Sequence, residues 1–191
     1  MSTPVKRAKR VAMTGVAFLA AGVMASSTVA QERLLEKEVI VDVPVEVAWW
    51  AWTTPEGVSS FWPQKCNIEL RVGGAYEFML QKQADKNGRS GSQGCRVLSY
   101  IPNRMLAFDW NFPPAIESLR HSGAKTQVVL RFEPLGDLTT RVRFVELGWQ
   151  EGDDWDAGYE YFDKAWDWVL GEFKEKLPKT SEARKAIAAQ E

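Results

Sequence analysis

Few side chains in this sequence could carry chemistry. Glu146 is the most suggestive. In TRVRFVELG (residues 140–148), Val142, Phe144 and Glu146 share one strand phase, while Arg141, Arg143 and Val145 share the other. The first set reads as inward, and an inward carboxylate must be hydrogen-bonded, paired or wet. Two readings stay open: a polar anchor or acid–base group at a cavity, or a strand-end glutamate at the solvent edge near Gly148. The single histidine, His121 in ESLRHSGAK, has no nucleophile or orienting group brought beside it by the sequence, so it reads as a solvated loop residue. One histidine and two separated cysteines do not make a zinc site, and neither a metal nor a cofactor is expected. Cys66 and Cys95 are a possible disulfide. They open two predicted strands that flank a third, which would set them about 10 Å apart and argues against the bond.

The other concentrated feature is aromatic. Residues 153–173, DDWDAGYEYFDKAWDWVLGEF, hold seven aromatic side chains. Trp155, Tyr159, Phe162, Trp166, Val169, Leu170, Phe173 and Leu177 recur every three or four positions, so residues 154–177 read as a long helix with one apolar stripe. Asp153 or Asp154 can cap its start. Trp168 and Tyr161 fall off the stripe. The end near the helix start, Tyr159 and Phe162, is the expected cavity wall, and Trp166 to Phe173 the expected core.

These residues need a frame. EVIVDV, within residues 33–43, reads as a first strand. Pro44 opens a helix in which Val45, Ala48, Trp49 and Trp52 share a face and Trp50 does not. Thr54-Pro55 supplies a second helix start, with Thr54 as N-cap. Six strands then follow as hairpins: CNIELRV and AYEFMLQ around Gly73-Gly74, CRVLSYI and RMLAFDW around Pro102-Asn103, and TQVVLRFEPL and TTRVRFVELG around Gly136-Asp137. The 15-residue connection 111–125 is long for a hairpin, and Phe112, Pro113, Pro114, Ile116 and Leu119 could cover a cavity mouth. Residues 179–191 read as a polar, frayed tail. The expectation is an α+β fold of order β–α–α–β6–α, with a curved antiparallel sheet of about seven strands wrapped around the long C-terminal helix.

That order, with VPVEVAWWAWTTPEG, LRVGGAYEF, GCRVLSYIPNRMLAFDW, TQVVLRFEPLGDLTTRVRFVELGW and the aromatic helix, resembles the helix-grip fold of the START-like, or SRPBCC, superfamily. The branch it most resembles is the set of domains related to the C-terminal part of the activator of the heat-shock chaperone ATPase. The resemblance spans about residues 36–177. It implies a cavity between sheet and terminal helix that takes lipids, sterols, hormones or polyketides. Cytosolic relatives imply co-chaperone activity.

The first 30 residues carry Lys6, Arg7, Lys9 and Arg10, no acid, then an apolar run and small residues up to Ala30. This is the order of a secretory signal cut after Ala30. The domain then begins at residue 31 and ends at 178, in the periplasm or outside the cell, with no stable membrane insertion. Of 24 basic residues, four leave with the leader; the remaining 20 face 25 acidic ones, a formal net charge of −5. A surface for nucleic acid needs the opposite balance. The expected partner is a small hydrophobic or amphipathic molecule. Tyr76, Phe78, Trp110 and Phe144 from the sheet, and Tyr159, Phe162 and Trp166 from the helix, would line its cavity. Glu146 or Tyr159 would make the polar contact. The alternatives are an enzyme using Glu146 as acid or base, and a protein-interaction module using Trp50 or Trp168.

Overall fold

The computed structural model describes residues 32–62, 65–80, 84–177 and 180–188. The leader expected over residues 1–30, and its cleavage point, lie outside them. In chain order the elements are β1 (Leu35–Val41), α1 (Val45–Thr53), α2 (Pro55–Phe61), β2 (Lys65–Ile68), β3 (Tyr76–Met79), β4 (Val97–Ile101), β5 (Met105–Asn111), α3 (Glu117–Ser122), β6 (Lys125–Gly136), β7 (Thr139–Leu147), α4 (Asp153–Lys176) and α5 (Thr180–Ala188).

The expected order is present, with α3 inserted and α5 appended. Five strands form one antiparallel sheet in the order β1-β7-β6-β5-β4, and β2 and β3 form a separate hairpin. The hairpin joins the large sheet through an isolated Ala75–Arg96 bridge, with Tyr76 N–H donating to the Cys95 carbonyl and Val97 N–H to that of Gly74. A regular seven-stranded sheet is broken here because Ser92 takes the edge of β3. Its hydroxyl accepts from Phe78 N–H at 2.8 Å, and its own N–H donates to the Phe78 carbonyl. Gly91 beside it leaves no room for a side chain, since a Cβ would stand 1.9 Å from the Phe78 carbonyl oxygen.

Strand alternation sets the core. On β7 Thr140, Val142, Phe144 and Glu146 are buried; on β6 the buried set is Thr126, Val128, Leu130 and Phe132; on β5 it includes Leu106, Phe108 and Trp110. Against this face lies α4, with Trp155, Phe162, Trp166, Val169, Leu170 and Phe173 buried. Full burial of a Phe such as Phe173 contributes about 1.5–3 kcal/mol. The N-cap of α4 is Gly152 at φ +128°, not Asp153 or Asp154, which sit in the first turn and complement the helix dipole instead. The acidic face of α4 is clamped to β1 and the residues before it: Lys37 of β1 reaches Asp163 at 2.7 Å and Asp167 at 2.6 Å, and Arg33 pairs with Asp156.

Two expectations about the helical layer are corrected. Trp50 is buried, because α1 has no solvent face over Val47–Thr53: it packs on β6, β7, α2 and α5. A helix apolar all round belongs in a core. Thr54 does cap α2 as expected, accepting from Gly57 N–H at 3.0 Å. Residues read as a frayed tail instead form α5, which buries Ala183 and pairs Arg184 with Glu46 of α1 at 3.0 Å.

Candidate functional site

Between α4 and the large sheet's open end lies a half-open cleft of ≈ 620 Å³. One wall is the middle of α4: Tyr161, Phe162, Ala165, Trp166, Trp168 and Val169. The opposite wall is the end of β5 and the segment that follows it, Asn111 to Ala115, with Phe112, Pro113 and Pro114. Trp62, Leu80, Ser90, Gly91 and Trp110 complete it. Tyr161 and Trp168 stand at the mouth, 46% and 54% exposed, and a shallow hollow continues from them over Ala157, Glu160 and Lys164.

Each wall has a local cause. Inward phase on β5 ends at Trp110, which meets Trp166 with ring centroids 5.2 Å apart. Phe112 is fully buried against Trp155 and Phe162. It fits because α4 has no side chain at Gly158, where a Cβ would meet the Phe112 ring at 2.6 Å. Beyond it, α3 contributes Arg120, whose guanidinium holds both lips of the cleft. Its Nη1 donates to the carbonyls of Gly91 (2.8 Å) and Phe112 (2.9 Å), and Nη2 to that of Arg89 (3.2 Å). Its Nε pairs with Asp85 at 3.1 Å. Burial pushes the Asp85 carboxyl up, but hydrogen bonds from the N–H groups of Arg89 and Asn87 and from Arg120 outweigh it and hold the group well below the usual carboxylate range. The connection 111–125 is thus anchored from below. Phe112, Pro113 and Pro114 line the cleft, while Ile116 and Leu119 pack beneath it.

Glu146 stands one bond behind the cleft wall. It is completely buried: Oε2 accepts from Trp166 Nε1 at 2.9 Å, and Oε1 lies 2.6 Å from Thr126 Oγ1. The strand-edge reading is therefore set aside in favour of an inward, hydrogen-bonded carboxyl. Desolvation pushes it up to about 7, although Thr126 and Trp166 pull the other way. The hydrogen-bond count agrees. Thr126 Oγ1 also lies 3.3 Å from the Trp110 carbonyl, and one hydroxyl proton serves two acceptors poorly. A neutral Glu146 donates to Thr126, which releases the Thr126 proton to Trp110, while Trp166 still donates to the other carboxyl oxygen. Through this chain Glu146 fixes the indole of Trp166 and, by way of Thr126, the backbone carbonyl of Trp110, two residues of the cleft wall.

Of the sequence-predicted lining, Trp110, Phe162 and Trp166 are in the cleft. Tyr76, Phe78 and Phe144 are packed core: Tyr76 stacks on Phe108 at 4.2 Å and donates to the Trp52 carbonyl, Phe78 stacks on Trp62, and Phe144 meets Trp166 at 4.7 Å. Tyr159 lies away from the cleft, donating to the Leu34 carbonyl with Arg33 over its ring. Sequence reasoning missed Tyr161 as lining, as well as Thr126, Arg120 and Gly158. Only Thr126 left a signal, sharing the inward phase of Val128 and Leu130. Cys66 and Cys95 are free thiols, with β3 between them as the meander required. His121 is exposed on α3. Among the described residues no group of three or more His, Cys, Asp or Glu could hold a metal ion, and no helix is long and apolar enough to cross a membrane.

An antiparallel sheet closed on a long C-terminal helix, with an aromatic cleft between them, defines the chain as a helix-grip protein of the START-like class. More narrowly, residues 42–177 match the family described as Activator of Hsp90 ATPase homolog 1-like protein, and the chain belongs to that family. Solved structures share the fold. A protein of Mesorhizobium loti is 20% identical with a TM-score of 0.57, over 76% of this chain and 96% of that one. The Aha1 dimer of Colwellia psychrerythraea is 20% identical with a TM-score of 0.55, over 78% and 98%. CalU16 of Micromonospora echinospora is 22% identical with a TM-score of 0.55, over 83% and 87%. No curated protein sequence matches significantly.

Proposed function

We propose that this chain is a non-enzymatic binding protein for a small hydrophobic or amphipathic molecule, held between α4 and the Asn111–Ala115 segment, and that it acts outside the cytoplasm after loss of residues 1–30. The observation that carries the binding reading is the cleft: ≈ 620 Å³, half-open and walled by indole, phenyl and proline rings. Its size falls in the usual range for small-molecule sites, as does a mostly apolar lining with few polar groups. The export reading is supported by the basic, apolar and small-residue order of the leader. Glu146 is absent from the cleft wall and has both oxygens engaged, which leaves the acid–base alternative without a carboxylate at the substrate's position. Native mass spectrometry of the protein isolated from its own host should show a co-purifying small molecule that Ala165→Trp, filling the cleft, removes. Retention of the molecule in that variant would refute this location. Fractionation with intact-mass analysis tests export: the mature chain should begin at Gln31.

A second reading has one observation in its favour. Trp168 is exposed, beside the exposed Tyr161, and could serve a protein partner as in the co-chaperone relatives. The Trp50 half of that surface is gone, because Trp50 is buried.

A further inference from the structure

The cleft is as informative for what it withholds as for what it presents. Among the described residues its wall carries no Asp, Glu, Lys, Arg or His. The charged or chargeable groups buried behind it are turned away and saturated, while Glu160 and Lys164 stand in the hollow outside its mouth. Arg120 spends its guanidinium on Asp85 and on the carbonyls of Arg89, Gly91 and Phe112. Glu146 spends its carboxyl on Thr126 and Trp166, which also withdraws the Trp166 N–H from any ligand. Burial pushes the Tyr161 phenol up, so it stays neutral as well. What remains toward a ligand is ring surface, with Ser90 and Asn111 as the polar side chains of the inner wall. The Asn111 amide nitrogen already donates to the Gln93 carbonyl at 3.2 Å, leaving its oxygen as an acceptor.

We propose that the cleft selects an uncharged, ring-bearing molecule, stacked on the exposed rings of Tyr161 and Trp168 over a floor closed by the buried Trp110 and Trp166, and carrying at most a hydroxyl or amide for Asn111 or Ser90. This rests on the cleft being the binding site and adds the class of ligand. An anion entering it would be desolvated with no counter-charge on the wall and no free donor cluster. A cation would gain cation–π attraction from the exposed indole of Trp168, but that does not offset its desolvation with no carboxylate on the cleft wall. A neutral ring gains apolar burial and aromatic contact with neither cost.

The test uses matched probes on the purified chain: N-phenylnaphthylamine, its sulfonate (anilinonaphthalene sulfonate) and the same skeleton bearing a trimethylammonium group. Binding is read by energy transfer from tryptophan. The neutral probe should bind at least about tenfold more tightly than either ion, a difference of about 1.4 kcal/mol. Trp168→Ala should weaken it severalfold with the fold intact. Ala115→Arg, placing a cation at the exposed lip, should narrow the gap by strengthening the sulfonate. Equal or tighter binding of an ion that Trp168→Ala also weakens would overturn the neutrality and leave the cleft standing. No binding by any probe would overturn the cleft and this inference together.

Discussion

Replacing Glu146 with Gln isolates the energetic consequence of burying a carboxyl in the aromatic core. The glutamine is nearly isosteric. Its oxygen can accept from Trp166 Nε1, and its amide can donate to Thr126, which keeps the hydrogen bonds of the neutral acid. The carboxyl is pushed from its ordinary 4.5 up to about 7 in the folded chain, with desolvation as the largest cause. The folded state therefore binds more protons than the unfolded state between those values. The stability that the neutral group contributes is fully present below about pH 4.5, falls as pH rises, and is gone just above pH 7. At about 1.36 kcal/mol per unit, a rise from 4.5 to about 7 corresponds to roughly 3 kcal/mol. Urea unfolding of the wild type and of Glu146→Gln should be measured in parallel from pH 4.5 to 8, with equal m-values required before midpoints are compared. Taking the difference removes the contributions common to both proteins. Near pH 4.5 the two proteins should agree within about 1 kcal/mol. By pH 8 the glutamine variant should be the more stable, by up to about 3 kcal/mol. A difference that does not change with pH would refute the reasoning, because it would mean that the carboxyl titrates alike in both states.

Three further outcomes follow from the walls of the cleft and the thiols. Arg120→Met should raise amide exchange in residues 84–94 and weaken neutral-probe binding while leaving exchange in the β1–β7–β6 ladder unchanged; uniform loss of protection would show that Arg120 is a general core residue and not the latch of the lips. Gly158→Ala should destabilise by about 1–3 kcal/mol in thermal unfolding, because overpacking against Phe112 exceeds the helix-propensity gain of about 1 kcal/mol, and a more stable variant would contradict that close approach. Reaction with a thiol-selective disulfide reagent should modify Cys66 at most in the native chain and both cysteines in urea, because Cys95 is buried with its thiol pushed up to about 12; rapid reaction of two thiols without denaturant would refute this.

Much of the frame was legible because period reports burial directly. The phase of Val142, Phe144 and Glu146 and the stripe from Trp155 to Phe173 both survive in the structure, as do the Thr54-Pro55 helix start and the last two hairpins. Period fails where a helix has no solvent face. Trp50 lies off the stripe of α1 yet is buried, because α5 covers part of α1, and α5 itself comes from a stretch whose short polar sequence gives little sign of docking. The sheet's break at β3 was equally hidden. It depends on Ser92, a residue in a Gly-rich loop, taking the place of a neighbouring strand.

The cleft was legible only in part, for a reason that also explains its character. Its floor comes from elements with strong period, so Trp110, Phe162 and Trp166 could be named from phase alone. Its lips come from loops, and their positions are set by contacts 29 and 35 residues apart in sequence, from Arg120 to Gly91 and to Asp85. No local pattern encodes such a latch. Tyr161 and Trp168 violate the α4 stripe, and that is their meaning: a stripe that buried every aromatic would close the cleft, and two large rings left off it keep a mouth open between α4 and Pro113-Pro114. The inward polar residue predicted to touch the ligand, Glu146, instead sets the indole that would touch it. In this chain the ionisable groups shape the walls, and the contact surface is left to rings.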